Sequence, residues 1–208
     1  MKLIKLFGLT LLPLVLFANP LHDAAEEGNI KKIQKYVSKG VDINAKNLKY
    51  KQTPLQIAAY NENSDIVKYL IYKGADINAK MKNGRTALHI AAFYGDTKSI
   101  SYLLRANANV NIKGNNGITP LHRAAEGGDI EAIKMLLANG ANINARTSDY
   151  ATPLHVAAYI GNAKAVKLLI AKGANAKAKN SDGNTALDEA QDAEETTTIK
   201  ALKNIAAL

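Results

Sequence analysis

Apolar positions come in two short runs per cycle, and the cycle repeats along the chain. One run is Leu121, Ala124 and Ala125; the next is Ile130, Ile133, Leu136 and Leu137. Steps of three and four place each run on one face of a helix. The pattern predicts a short helix capped by Thr119, with Pro120 in its first turn and Gly128 as its stop. It predicts a second helix over Ile130–Ala138, ended by Gly140. The segments after these second helices, Ala75-Asp76-Ile77-Asn78-Ala79 and Ala141-Asn142-Ile143-Asn144-Ala145, alternate with period two and read as extended arms. Asn83-Gly84, Asn116-Gly117 and Asp182-Gly183 are turn dipeptides that reverse the arms.

The helix start Thr119-Pro120-Leu121-His122-Arg123-Ala124-Ala125 recurs as Thr152-Pro153-Leu154-His155-Val156-Ala157-Ala158. It recurs again as Thr86-Ala87-Leu88-His89-Ile90-Ala91-Ala92 and Thr53-Pro54-Leu55-Gln56-Ile57-Ala58-Ala59. The threonines stand at 53, 86, 119, 152 and 185, a period of 33 residues. A fixed period of this size marks a stacked repeat array, in which each unit packs only on its neighbours. This heptapeptide at this spacing resembles the ankyrin repeat over about residues 19–208. The fold class expected is an all-α repeat solenoid of about six units: 19–52, 53–85, 86–118, 119–151, 152–184 and 185–208. The resemblance implies helix-turn-helix units with projecting β-hairpin fingers. It also implies a framework role for His22, His89, His122 and His155, whose rings would link each helix start to neighbouring backbone. Gln56 and Asp188 hold that position in the other two units.

Several positions break the pattern. Asn107 replaces the second-helix stop glycine, and Asn tolerates left-handed space best among non-glycine residues. Glu62 replaces a first-helix stop, which predicts an atypical corner there. Tyr150 stands where other fingers have glycine, and Tyr50 falls near that place in a finger one residue longer. Both turns are expected to take a different shape. The last unit turns polar after Leu187 and reads as a cap, with Ile199, Leu202 and Ile205 facing inward.

Residues 1–18 have a positive start at Lys2 and Lys5, an apolar run from Leu6 to Phe17, and Ala18 as the residue to cut after. That is the layout of a cleaved secretory signal of bacterial type. The run is short for a membrane span and contains Pro13, so an uncleaved anchor is the second reading. A periplasmic or secreted location is expected. Formal charge is +9, and +7 without the two leader lysines. The lysines are spread through every unit, so most read as a solvated face.

Chemistry finds little to work with. There is no cysteine, and all four histidines occupy one repeat position. Neighbouring helices pack about 10 Å apart, whereas metal–nitrogen bonds are about 2 Å, so adjacent rungs would not share an ion. Gly114-Asn115-Asn116-Gly117 lacks the Lys-Ser/Thr of a phosphate loop. No enzyme, metal or cofactor is expected. The family places its recognition surface on finger tips and first-helix ends. That maps onto Tyr60, Phe93, Tyr94, Glu126, Tyr159 and Ile160 at helix ends, with Asn61 and Gly127 beside them. On the fingers it maps onto Lys82, Asn83, Arg85 and Ile118. Aromatic and Arg residues are over-represented at binding hot spots. The expected function is a monomeric, non-catalytic scaffold that grips a partner protein in a concave groove, with no nucleic acid and no membrane span after cleavage. The alternative is a basic surface that binds an anionic polymer or membrane.

Overall fold

The computed structural model describes residues 19–206, and the leader expected over residues 1–18 lies outside them. The described chain is a row of helix pairs: α1 (Pro20–Glu26) with α2 (Ile30–Ser38), α3 (Pro54–Tyr60) with α4 (Ser64–Tyr72), and α5 (Ala87–Tyr94) with α6 (Thr97–Arg105). Then come α7 (Pro120–Gly127) with α8 (Ile130–Ala138), α9 (Pro153–Tyr159) with α10 (Ala163–Ala171), and α11 (Ala186–Asp192) with α12 (Thr196–Ala206). The odd-numbered helices form the inner layer and the even-numbered ones the outer. Each packs on its partner and on the same helix of the next unit, as an all-helical solenoid requires. None of the helices among the described residues is long and apolar enough to cross a membrane.

The core is a continuous seam of Leu, Ile and Ala. Leu55, Leu88, Leu121 and Leu154 are fully enclosed, and the alanine pairs Ala58–Ala59, Ala91–Ala92, Ala124–Ala125 and Ala157–Ala158 lie between inner helices. Side chains this small let the helix axes come close. Outer helices contribute Ile66, Val67, Leu70, Ile100, Leu103, Ile133, Leu136, Val166 and Leu169. Leu137 is only half-buried at the edge of this stripe. In the last unit Leu202 is buried and Ile199 packs on the core, with Thr198 buried beside them; the side chain of Ile205 lies outside the described residues.

The fingers differ from the hairpins expected. No strand occurs among the described residues. Each finger is closed by a backbone bond across its turn, such as Met81 N–H to Arg85 O (2.9 Å) or Gly114 N–H to Ile118 O (2.8 Å). Adjacent fingers are joined by single bonds: Lys82 N–H to Tyr50 O, Asn115 N–H to Asn83 O, Ser148 N–H to Asn116 O and Ser181 N–H to Asp149 O. One bond per rung does not make a ladder. Side chains carry the remaining order. Asn44, Asn78, Asn111 and Asn144 each accept from a backbone N–H of the next unit at 2.7–3.0 Å. Lys46, Lys80 and Lys113 each donate Nζ to a carbonyl one unit on, at 2.8–3.4 Å.

Left-handed backbone is set by place in the unit rather than by glycine. At the inner-helix stop, Glu62 (φ 55°) and Glu194 (φ 58°) adopt what Gly28, Gly95, Gly128 and Gly161 adopt elsewhere. The Glu62 corner therefore keeps the common geometry. In the fingers Tyr150 itself takes φ 59°, so its turn is not reshaped. In the longer first finger Lys51 (φ 55°), not Tyr50, takes the strained place. Each such residue costs about 1–2 kcal/mol, which the packing of adjacent units outweighs.

An asparagine at the second-helix start makes a bond that an acidic residue there cannot. Asn63 donates Nδ2 to Ala25 O (3.4 Å), and Asn162 donates to Ala125 O (3.0 Å) and Glu126 O (2.9 Å), tying each unit to the one before. Asp96, like Asp129, holds the same place but has no N–H to give. Its Oδ1 caps Ser99 N–H at 3.1 Å, and its Oδ2 is buried without a partner. Asp96→Asn gives up a charge worth about 0.3–1 kcal/mol at a helix start. It gains a bond and relieves a buried unpaired oxygen, a larger effect of about 1–3 kcal/mol. A rise in Tm of a few degrees is expected in a thermal melt; an unchanged or lower Tm counts against the pairing.

Candidate partner-binding groove

The start of each inner helix is fixed by one bond network. Thr86 donates its backbone N–H to His89 Nδ1 (3.2 Å), with its hydroxyl 3.0 Å from the same nitrogen, while His89 Nε2 meets Ile118 O at 3.0 Å. His122 repeats this with Thr119 and Ala151 O, and His155 with Thr152 and Asn184 O. A nitrogen that accepts from a backbone amide carries no proton, so these rings are neutral with the proton on Nε2. Gln56 makes the same links: its Oε1 accepts from Thr53 N–H (2.8 Å) and its Nε2 donates to Arg85 O (3.3 Å), and also to Ala79 O (2.6 Å). His22 is the exception. Its Nε2 meets Ala45 O and Gln52 O, but Nδ1 has no partner, because Asn19 replaces the threonine and turns its own side chain to Leu21 N–H. The network places the next finger over the helix start, and so sets the rim of the groove.

The three candidate rings of the second and third units come together. Tyr60 and Tyr94 lie edge to face at 5.4 Å between centroids, and Phe93 and Tyr94 at 5.1 Å. They rest on one another and remain open to solvent: Tyr60 is 55% exposed, Phe93 37% and Tyr94 39%, where the alanines of the same helices are closed. Tyr159 and Ile160 are also exposed but stand two units further on, apart from this cluster. Lys82 is exposed on the finger, and Asn83 braces its turn by accepting from Arg85 N–H at 3.1 Å.

Arg85, just before the cap of α5, lines an open cavity of about 290 Å³ spanning the second to fourth units, lined also by Asn83, Asn115, Ile118 and Arg123. Burial, and then the neighbouring Arg123 charge, holds the Arg85 guanidinium below its ordinary value. Arg123 pairs through Nη1 with Glu126. Ile118 also borders a second cavity of about 200 Å³ with Glu126, Asp149 and Val156. Arg85, Asn83, Ile118 and Glu126 thus line two adjoining cavities, and Tyr60, Phe93 and Tyr94 cluster at the other end of α5, the helix that Arg85 precedes.

Two residues have roles the sequence did not reveal. Arg123 occupies the place held by Ile57, Ile90 and Val156 in aligned units. A charge where the other internal units are apolar was the signal available; only the terminal units, with Asp23 and Glu189, also carry one. Gly127 has a packing role that its place at the helix end did not show. A Cβ there would lie 2.0 Å from Phe93 O, so this glycine is where α7 passes against α5.

A family model described as ankyrin repeats matches the chain in three stretches, residues 21–114, 80–147 and 121–207. No curated protein matches the chain. Ankyrin repeats are generally protein–protein interaction modules. With the match running from Leu21 to the last helix, and the paired helices stacked at the 33-residue period read from the threonines, the chain belongs to the ankyrin repeat family.

Proposed function

We propose that the chain is a non-catalytic scaffold that binds a partner protein along its inner-helix ends and fingers, centred on Tyr60, Phe93 and Tyr94. One observation carries this reading. Three large rings sit side by side on adjacent inner helices, 37–55% exposed, where packing of the array does not need them. Rigid rings on a rigid frame lose little entropy when a partner covers them. The leader layout of residues 1–18 supports an exported protein working in the periplasm or outside the cell.

The test is a double variant, Phe93→Ala with Tyr94→Ala. Capture of a partner from periplasmic extract is expected to be lost, at a cost of at least 2 kcal/mol as for hot-spot residues, roughly thirtyfold in affinity. The melting curve should stay close to that of the native chain. A variant that unfolds would make these rings part of the core and end the proposal. A second reading, binding of an anionic polymer, draws on the row Lys46, Lys80, Lys113, Arg146 and Lys179 at one repeat position. Capture that collapses as salt is raised would favour that reading.

A further inference from the structure

Arg85 and Arg123 line one cavity spanning the second to fourth units, and one carboxylate, Glu126, stands against the pair of them, bonded to Arg123. Arg123 spends Nη1 on Glu126; its side chain is 11% exposed, and its Nε is buried without a hydrogen-bond partner. Arg85 is half-buried and makes no ion pair among the described residues. Two guanidinium groups against one carboxylate leave one positive charge in excess in a partly dehydrated place. Such a charge is costly until it is matched. Lys80 and Lys113 add to the positive field at the neighbouring histidines, and Asp149 opposes it.

We propose that this cavity takes a carboxylate from the partner: an Asp or Glu side chain next to a large apolar residue that packs on Tyr60, Phe93 and Tyr94. The inference rests on the groove reading above and adds the chemistry of what enters it. Arg85 directly precedes Thr86, the cap of α5, and the same helix ends at Phe93 and Tyr94, so one short peptide lying along α5 can make both contacts. The guanidinium fork suits a planar carboxylate through two parallel bonds. The planar guanidinium fork, with the Glu126 carboxylate beside it, favours a planar, singly charged acid over a phosphate, which carries close to two negative charges.

The test uses the full chain and a display library of random short peptides. Selected peptides are expected to carry Asp or Glu beside a large apolar residue. Changing that acid to its amide should weaken binding about tenfold, as should Arg85→Gln, which leaves the buried Arg123–Glu126 pair in place. The two losses should not add when combined, since they remove one interaction. Arg85→Glu should turn selection towards Lys or Arg peptides. Peptides that need Phe93 and Tyr94 but show no acidic preference would overturn this inference and leave the groove standing. A phosphoserine peptide that binds more tightly than its Glu counterpart would also overturn it. A library that yields no binder overturns both.

Discussion

Between pH 6.5 and 4 the array is expected to lose several kcal/mol of stability, through His89 and His122. Burial pushes each imidazole down to about 4, against the pull of the carbonyl that each Nε2–H meets, with the Arg123 charge among the groups pushing the same way. In the unfolded chain each returns to about 6.5. The sign follows from proton binding. Below pH 6.5 the unfolded state takes up protons that the folded state refuses, so stability falls as pH falls and levels off near pH 4. The geometry gives the same answer, because a proton on Nδ1 must displace the Thr86 or Thr119 amide that donates to it. At about 1.36 kcal/mol per pH unit, each ring contributes roughly 3 kcal/mol over this window, comparable with the 5–15 kcal/mol of a typical domain. Asp188 acts elsewhere. The Thr185 amide and hydroxyl hold its carboxyl below the usual range, so its contribution is lost only at more acid pH.

The second unit supplies the control. Gln56 bonds its threonine and the next finger as the histidines do, and it does not titrate in this range. A His89→Gln, His122→Gln variant is therefore expected to keep its urea midpoint near neutral pH and to lose most of the slope between pH 6.5 and 4. Urea titrations at a series of pH values compare the two. A native chain with no slope in that window, or a double variant that keeps the slope, would remove the two histidines as the acid-sensitive groups.

What was readable from the sequence is what the backbone decides locally. Thr119, Pro120 and Gly128 fix where a helix begins and ends whatever lies beside it, and the spacing of Leu121, Ala124 and Ala125 fixes its inward face. Properties that depend on the neighbouring unit were hidden. Glu62 and Tyr150 carry left-handed backbone because adjacent units hold them there, although neither residue type favours it. The arms alternate in burial as read, with Ala75 and Ala79 buried and Asp76 and Asn78 exposed, yet they are turns rather than extended chain: Ala79 N–H returns to Asp76 O at 3.3 Å and Ala145 N–H to Asn142 O at 3.1 Å. The groove was legible in part. Large rings at helix ends stand out against alanine-rich surroundings, whereas the meeting of Arg85 with Arg123 depends on how a finger of one unit lies over the inner helix of the next.

Gly127→Ala shows that dependence most sharply. In an ordinary helix this change stabilises by about 0.5–1 kcal/mol, because alanine loses less freedom on folding. Here the opposite is expected. The new methyl carbon would lie 2.0 Å from Phe93 O and 3.0 Å from its carbonyl carbon, and backbone cannot swing aside as a side chain can. Either α7 or α5 must move, at about the 1–3 kcal/mol typical of overpacking. Aligned units carry Tyr94, Asn61 and Ile160 at this place, so the closeness belongs to this one junction and not to the repeat as such. The junction also joins Phe93 to the helix that bears Arg123 and Glu126, so moving it should disturb the groove as well as the fold. The variant should melt lower by a few degrees per kcal/mol lost, and should bind a groove peptide less well at temperatures where it is still folded. A Tm raised as in an ordinary helix would mean that α5 and α7 are not in this contact, and would take with it the geometry on which the Arg85–Arg123 cavity depends.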